Sequence, residues 1–228
     1  MSRMSRIAIV AATIPKVLAS RLCCVLLVAA VALGVAAPSA AAAPDKKLGA
    51  TLGALWKKVI ETPTPQNLFG PNGGDPCVNL GGVVAPFAPA LGSPTLTCTV
   101  KPGTKIFVAA WTSECSTLEQ PPFFGSNEAE LRACARAVDA GITRTDVTLD
   151  RKPVPVGNVE SGLLRLNLPG DNIFGAPAGK GPLSVAHGWV ALLQPLTPGT
   201  HTITLHVGGT YLGADVNFNN TTTIIVKK

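Results

Sequence analysis

The chain has 228 residues, of which 46% are hydrophobic, 14% are charged and six are cysteines. The formal net charge is +6, but four of the 19 lysine and arginine residues lie within the first 21 positions. The remaining 15 basic residues face 13 acidic ones and never form a run longer than two, which excludes a nucleic-acid-binding surface.

The first 43 residues are predicted to be a secretory signal peptide. The four basic residues precede Leu22–Val35, an uninterrupted apolar run of 14 residues, and small residues with several A-x-A cleavage sites fill positions 36–43. The apolar run is shorter than the ~20 residues that a membrane-spanning helix needs. We therefore expect a mature protein without a transmembrane segment, located outside the cell or in the cell envelope.

The rest of the chain is predicted to contain an N-terminal part and a β-rich part. Residues 44–94 combine an amphipathic helix at 47–60, weakened by Gly49 and Gly53, with a Pro/Gly-rich extended segment at 62–94. Residues 95–228 alternate short strands with Pro/Gly turns and are expected to pack with 44–94 as one unit.

The predicted fold is mainly β: an antiparallel β-sandwich, jelly-roll or immunoglobulin-like, with the N-terminal helix and one helical excursion. The excursion spans 112–141 and ends in a helix at 127–140, where Asn127 and Glu130 resemble a capping box. The strands are predicted at 95–100, 105–111, 143–150, 154–156, 162–168, 183–193, 200–207 and 221–228.

Four cysteines follow the leader, at Cys77, Cys98, Cys115 and Cys134. An even number fits an oxidising compartment, and no C-x2-C spacing supports the alternative, a zinc site. Of the three possible pairings we favour Cys77–Cys98 and Cys115–Cys134, because each closes a loop of about 20 residues.

The histidines offer few candidates for acid–base chemistry. His201 and His206 lie on opposite faces of one strand and roughly 17 Å apart, so they cannot share a metal. His206 is expected in solvent. His201 lies on the apolar face, where we expect a half-buried ring with a local hydrogen-bond partner, or, as the alternative, a contact with Glu114 or His187.

Glu114 is the acidic candidate, since it lies between Cys115 and a strand that carries Trp111. The conservative interpretation is a carboxylate that caps the backbone or pairs with Lys105 or an arginine. Neither a G-x-S-x-G nor an H-E-x-x-H motif occurs, and we assign no catalytic residue.

A weak calcium candidate lies at Asp215, Asn217 and Asn219, which spell D-x-N-x-N. The sixth position of this motif is Asn220 instead of Gly, and the twelfth is Val226 instead of Glu. We therefore favour a connecting loop between the last two strands, and predict neither a metal nor a cofactor.

The chain resembles a group of secreted, actinobacterial-type bacterial proteins of unknown function. Three of the shared motifs are C-T-V-x-x-G-K at 98–105, with Thr104 as an extra residue before Lys105, x-E-C at 113–115 and P-L-x-P-G-x-H-T-I, which ends at Ile203. An L-P-x-N-x-x-G segment corresponds to 168–175, with one extra residue before Asn172, and a D-G-x-x-V hairpin corresponds to 150–154, with Arg151 in place of Gly. The resemblance implies the same fold and an exported location, and it implies no activity.

These observations predict a non-catalytic extracellular or envelope-associated binding module, a monomer whose partner is a glycan or a peptide. The candidate binding residues are Glu114, Trp111, His201 and His187. The alternative is an extracellular hydrolase or a metal-dependent enzyme with a site near Glu114 and His201.

The signal-peptide interpretation makes a direct prediction. Intact-mass measurement or N-terminal sequencing of exported protein should place the mature N-terminus between Ala41 and Asp45, because the small-residue sites end there. Exported material that still contains Arg21 or Leu22 would contradict the prediction.

Overall fold

The computed structural model describes residues 45–88 and 95–228, so the predicted leader and residues 89–94 of the Pro/Gly-rich segment lie outside it. Helix α1 spans Lys46–Ile60 and helix α2 spans Glu128–Asp139. The strands are β1 (Cys77–Asn79), β2 (Val83–Pro86), β3 (Leu96–Val100), β4 (Lys105–Ser116), β5 (Ile142–Leu149), β6 (Lys152–Pro153), β7 (Gly157–Glu160), β8 (Leu164–Leu168), β9 (Gly179–Leu193), β10 (Gly199–Tyr211) and β11 (Ala214–Val226).

The strands form two packed sheets, which confirms the predicted β-sandwich. The first sheet has the order β1-β2-β4-β9-β7, with β8 also paired to β9, and the second has the order β3-β11-β10-β5-β6. Most pairs are antiparallel, but each sheet contains one parallel pair, β2 with β4 and β3 with β11. The core between the sheets contains Ile106, Val108, Ile203 and Ile224.

Helix α1 covers the other face of the first sheet. Its N-cap Asp45 accepts a hydrogen bond from the Lys47 backbone at 2.9 Å, and its apolar stripe packs on that sheet. Gly49 and Gly53, which the sequence predicts to weaken the helix, lie where α1 closely approaches the neighbouring strands. A Cβ at Gly49 would stand 2.4 Å from the Glu160 carbonyl oxygen, and one at Gly53 would stand 2.9 Å from a Leu164 methyl group.

Helix α2 packs on the face of the first sheet opposite α1. Asn127 Oδ1 accepts from the Glu130 backbone at 3.1 Å, and Glu130 Oε1 accepts from Asn127 Nδ2 at 2.7 Å. This reciprocal contact starts the helix where the capping motif predicts. Leu131 and Ala135 are fully buried beside β4 and β9.

Both predicted disulfides are confirmed. Cys77–Cys98 joins edge strand β1 of the first sheet to edge strand β3 of the second, with Cα atoms 5.6 Å apart. Cys115–Cys134 joins β4 to α2 at a Cα separation of 6.1 Å. The two bridges therefore hold the sheets to each other and the helical excursion to the first sheet. None of the described helices is long and apolar enough to span a membrane.

A β-bulge in β4 changes which side chains face α1. The pairing with β9 runs Ala109 to Val190 and then Trp111 to Trp189, which leaves Ala110 as the extra residue. Before the bulge Phe107 faces α1; after it Trp111 faces the second sheet instead. The bulge consequently turns Thr112 and Glu114 toward the α1 side.

Three sequence predictions need correction. The excursion begins only after Ser116, because β4 continues through the expected break at 112 and keeps its pairing with β9. Residues 154–156 are not a strand; the chain pairs at Lys152–Pro153 and again from Gly157. The D-x-N-x-N motif is not a loop but lies within β11, since the hairpin to β10 turns tightly at positions 212 and 213.

The hairpin from β5 to β6 turns on two residues with left-handed backbone, Asp150 (φ 48°) and Arg151 (φ 67°). The hairpin from β10 to β11 turns likewise on Leu212 (φ 50°) and Gly213 (φ 82°). Type I′ turns prefer glycine at the second position, which the second turn has and the first lacks. Arg151 is therefore the more strained residue.

His201, which lies on β10, holds the strained turn in place through hydrogen bonds. Its Nδ1 bonds Asp150 Oδ2 at 2.8 Å, and its Nε2 bonds the Thr197 carbonyl at 2.9 Å. Asp150 Oδ1 also accepts from the Thr202 backbone at 2.8 Å. The ring is half-buried with local partners, as the alternation predicts. Hydrogen bonds that His201 donates to Asp150 and then to the Thr197 carbonyl raise the pKa of His201, and the bonds from His201 and Thr202 lower the pKa of Asp150.

Arg151→Gly should stabilise the protein. A non-glycine residue with left-handed backbone costs roughly 1–2 kcal/mol, and the greater entropy of unfolded glycine returns roughly 0.4–1 kcal/mol of that. We expect a net gain of about 0.5–1 kcal/mol in the free energy of unfolding, measured by chemical denaturation. The control Lys152→Gly, at the adjacent strand position, should not stabilise; equal gains for both would contradict the assignment.

The His201–Asp150 pair should stabilise the fold in a defined pH range. The contribution of His201 is complete below its unfolded pKa of about 6.5 and is lost as pH rises through its raised folded pKa. The contribution of Asp150 is complete above its unfolded pKa of about 3.9 and is lost as pH falls toward its lowered folded pKa.

The loss of stability in His201→Ala relative to wild type should therefore be largest between about pH 4 and 6.5 and shrink at alkaline pH. Denaturation of both proteins at pH 5.5 and 9 measures this difference. His206→Ala, whose ring bonds Asn217 Oδ1 at 3.0 Å, is the matched control on the same strand. A loss in His201→Ala that is the same at both pH values would be inconsistent with the pair.

Candidate functional site

A cavity of about 360 Å³ lies where α1, β4 and three loops meet. That volume falls within the range of about 300–1,000 Å³ found for small-molecule sites. Its polar wall comes from β4 and the loop that follows it, and the other walls are mainly aromatic and aliphatic. The lining residues are Trp56, Ile60, Phe69, Thr112, Ser113, Glu114, Glu119, Phe123, Ile173, Phe174 and Tyr211.

Helix α1 contributes Trp56 and Ile60, both on its buried stripe. The indole Nε1 of Trp56 donates to Thr112 Oγ1 at 3.2 Å, so the ring is held against β4 just after the bulge. Phe69 stacks on Trp56 with ring centroids 6.1 Å apart, and Phe87 meets Trp56 edge-on at 5.5 Å. Trp56 and Phe69 form one side of the cavity, and Phe87 packs against both without lining it.

Asn67 positions Phe69. Its amide nitrogen donates to the carbonyl oxygens of Val59 at 2.6 Å and Thr62 at 3.0 Å, near the end of α1. Its Oδ1 accepts from the Phe69 backbone at 2.9 Å, which closes an Asx turn. Asn67 is fully buried, while Phe69 is 46% exposed at the rim of the cavity.

Asn172 repeats this arrangement on the other side of the cavity. Its amide nitrogen donates to the carbonyl oxygens of Pro169 at 2.9 Å and Ala176 at 2.7 Å. Its Oδ1 accepts from the Phe174 backbone at 3.2 Å, which again places a phenylalanine two residues later against the cavity.

The two turns carry nearly the same tetrapeptide, N-L-F-G at 67–70 and N-I-F-G at 172–175. The Thr64 backbone donates to the Asp171 carbonyl at 2.8 Å, which joins the two segments directly. Neither phenylalanine is among the binding residues that the sequence predicts. Two copies of N-[LI]-F-G 105 residues apart were the signal that could have found them.

Glu114 is the most buried carboxyl group of the lining, at 5% exposure. Burial, followed by the negative charge of Glu119, raises its pKa well above the ordinary value, and the neighbouring Ser184 hydroxyl offsets part of the rise. Oε1 of Glu114 has no hydrogen-bond partner in the part of the chain that the structure describes. The predicted pairing with Lys105 or an arginine is therefore wrong: the bulge turns Glu114 toward Glu119 instead.

Glu119 is half-buried in the loop after β4, and Ser116 Oγ donates to its Oε2 at 3.2 Å. Burial raises its pKa, while the hydrogen bonds from Glu114 and Ser116 oppose that rise. Of the two carboxyl groups, Glu114 therefore has the more strongly raised pKa. Across the cavity, burial and the charges of Asp139 and Glu119 raise the pKa of Tyr211 to about 12, so its hydroxyl group is neutral.

Trp111 and His187 lie outside the cavity lining, in a buried polar chain. Asp139 is fully buried and accepts from Trp111 Nε1 at 2.8 Å and bonds His187 Nδ1 at 2.9 Å. His187 Nε2 bonds Asn158 Oδ1 at 2.9 Å. Both ring nitrogens are occupied, so this chain connects α2, β4, β7 and β9 and has a structural role.

The other candidates are not brought together with Glu114. His201 bonds Asp150 and Thr197 and does not line the cavity, so the alternative contact with Glu114 or His187 is not formed. Asp215, Asn217 and Asn219 lie on extended β11, where alternate residues are roughly 7 Å apart, and they cannot wrap a calcium ion as a loop would.

The cavity combines an apolar volume with one buried pair of carboxyl groups. Residues 45–88 and 95–228 contain no group of three or more His, Cys, Asp or Glu that could hold a metal ion. The arrangement is suited to holding an organic molecule by its apolar surface and orienting it with one polar contact.

Comparison with protein families, with curated proteins and with solved structures finds no match to this chain.

Proposed function

We propose that this chain is an exported, non-catalytic binding protein whose ligand occupies the cavity between α1 and the two Asn-Phe turns. The observation that carries the proposal is the buried Glu114 carboxyl group, with its free Oε1, at the polar wall of an otherwise aromatic cavity. A preformed apolar cavity with few polar groups is the usual form of a small-molecule site.

The rim of the cavity supports ligand entry from solvent. Phe69 is 46% exposed, and Phe123, Ile173 and Phe174 are half-buried. Leaving such apolar surface in water is unfavourable by roughly 25 cal/mol per Å², so its retention at a cavity mouth fits a surface that a ligand covers. The Asn67 and Asn172 hydrogen bonds hold the rings in place before binding, which reduces the entropy that binding would otherwise cost.

A hydrolase is the second candidate, because a carboxyl group with a raised pKa can act as a general acid. The geometry favours binding instead. Glycosidases hold their two carboxyl groups about 5 Å or more apart with the substrate between them, whereas Glu114 and Glu119 are in hydrogen-bond contact. The cavity lining also contains no histidine, cysteine or lysine to serve as base or nucleophile.

The export part of the proposal rests on the predicted leader and on the disulfides. Two disulfides join separate layers of the fold, and such bonds persist in oxidising compartments outside the cytoplasm. A ligand-binding role in the medium or the cell envelope follows from that location.

Cavity binding can be tested with the neutral apolar fluorophore N-phenyl-1-naphthylamine, whose emission rises in an apolar environment. The purified protein should bind this probe saturably. Ile173→Trp places a larger ring at the mouth and should weaken binding of the probe at least 10-fold, roughly the effect of losing one or two well-packed contacts.

Phe124→Trp is the matched control, because Phe124 is 44% exposed next to the lining residue Phe123 but does not itself line the cavity. It should bind the probe as wild type does, and cooperative thermal unfolding checks that both variants are folded. Equal binding by folded Ile173→Trp and wild type would place the probe elsewhere and overturn the proposal.

A further inference from the structure

Resting on the proposed function, we infer that the ligand carries a primary ammonium group on an apolar body, and that the ammonium group donates a hydrogen bond to Glu114 Oε1. The source can be a free amine or a lysine side chain of a peptide, since both present the same group. A primary ammonium group on an apolar body is a more specific ligand than one that only fills the cavity.

The first support is the buried acceptor. Glu114 is 5% exposed and Oε1 finds no donor among the described residues, although buried polar atoms are almost always hydrogen-bonded. Ser184 lies close enough to the carboxyl group to lower its pKa, but its hydroxyl group forms no hydrogen bond of normal geometry with Oε1. A ligand that brings N–H donors would satisfy acceptors that the protein leaves open.

The second support is the charge around the cavity. The charge nearest to Glu114 is that of Glu119, and the nearby Asp139 is bonded to His187. Among the described residues, no lysine or arginine forms an ion pair with Glu114 or Glu119: Lys57 pairs with Glu61, and Arg132 and Arg136 pair with Glu160. A cationic ligand would supply the positive charge that these two carboxyl groups lack.

The third support is the aromatic wall. Trp56, Phe69, Phe174 and Tyr211 line the same cavity as the two carboxyl groups. Aromatic faces attract cations through their quadrupoles and pack well against apolar groups. A hydrated metal ion would gain nothing from these walls, and an anion would be repelled by the carboxyl groups, whereas an alkyl or aryl ammonium ion is complementary to both.

This chemistry makes binding depend on pH. An ammonium ion binds the ionised carboxyl group and so competes with protonation of Glu114. Affinity should rise as pH increases through the raised pKa of Glu114, while the ligand amine, with an ordinary pKa near 10, remains charged. Tyr211 stays neutral over this range and contributes no change.

The test compares three probes of similar shape by isothermal titration calorimetry: 3-phenylpropylammonium, 3-phenyl-1-propanol and 3-phenylpropionate. At pH 7.5 the ammonium ion should bind roughly 10-fold to 100-fold more tightly than the alcohol, as a charge-assisted hydrogen bond provides, and the carboxylate should bind most weakly. The peptide acetyl-Gly-Lys-Gly-amide forms a further arm. If it binds more tightly than the free amine, a peptide is the source; if it binds more weakly, a free amine is.

Glu114→Gln removes the charge with little change in shape and should abolish the preference for ammonium over alcohol, together with its rise with pH. Glu128→Gln, which removes an exposed carboxyl group on α2, is the matched control and should keep both. Cooperative thermal unfolding of Glu114→Gln checks its fold, and the wild-type pH series tests the inference without any variant.

An ammonium probe that binds no better than the alcohol to wild type, or a preference that survives in folded Glu114→Gln, would overturn the inference. Cavity binding of the neutral fluorophore would still stand in either case, so failure of the ammonium assignment is distinguishable from failure of the proposed function.

Discussion

The β-bulge at Ala110 determines the chemistry of the cavity. Residues alternate strictly between the two faces of a strand, so without the extra residue Glu114 would share the face of Ile106 and Val108, opposite α1 and away from the cavity. The bulge instead turns Glu114 toward α1 and Trp111 toward α2. One inserted residue therefore changes the face on which Thr112 and Glu114 lie, and it makes this end of β4 part of the cavity wall.

The neighbouring parts of the structure hold that wall in place. Trp56 bonds Thr112 from the α1 side, and the Cys115–Cys134 disulfide fixes the end of β4 to α2. Gly49 and Gly53 let α1 approach the β7–β8 region closely enough for Trp56 to reach β4. The two Asx turns then close the cavity from opposite sides, each with one buried asparagine that satisfies backbone groups and orients a phenylalanine.

The carboxyl groups described above are of two kinds: some have hydrogen-bonded oxygens, and one has an oxygen without a partner. Asp150 has its acceptors filled by His201 and the Thr202 backbone, and Asp139 has its acceptors filled by Trp111 and His187. Both carboxylates connect secondary-structure elements through hydrogen bonds. Glu114 is buried as deeply as such groups but faces another carboxyl group and leaves one oxygen open. Burial of a polar group without a hydrogen-bond partner is costly in general, and such an arrangement is expected at a functional site more than at a structural one.

Much of the architecture was readable from the sequence, because it depends on local signals. The stripe of α1, the cap at Asn127, the alternating strands and the short cysteine spacings predicted the helices, the sandwich and both disulfides. Local alternation also placed His201 correctly. The sequence motifs predicted Glu114 as a residue of interest but assigned it an incorrect partner.

The tertiary structure alone decided what surrounds Glu114. The bulge results from the pairing of β4 with β9, about 80 residues later in the chain, and the sequence of β4 contains no signal that predicts it. The cavity joins α1, β4, β10 and two turns 105 residues apart, so its composition depends on long-range packing. The calcium-like motif is a case in which the residue types suit an ion but the fold does not. Strand pairing extends the three side chains too far apart along β11 to surround one ion. Spacing along the chain thus determined the elements, and contacts across the fold determined the site.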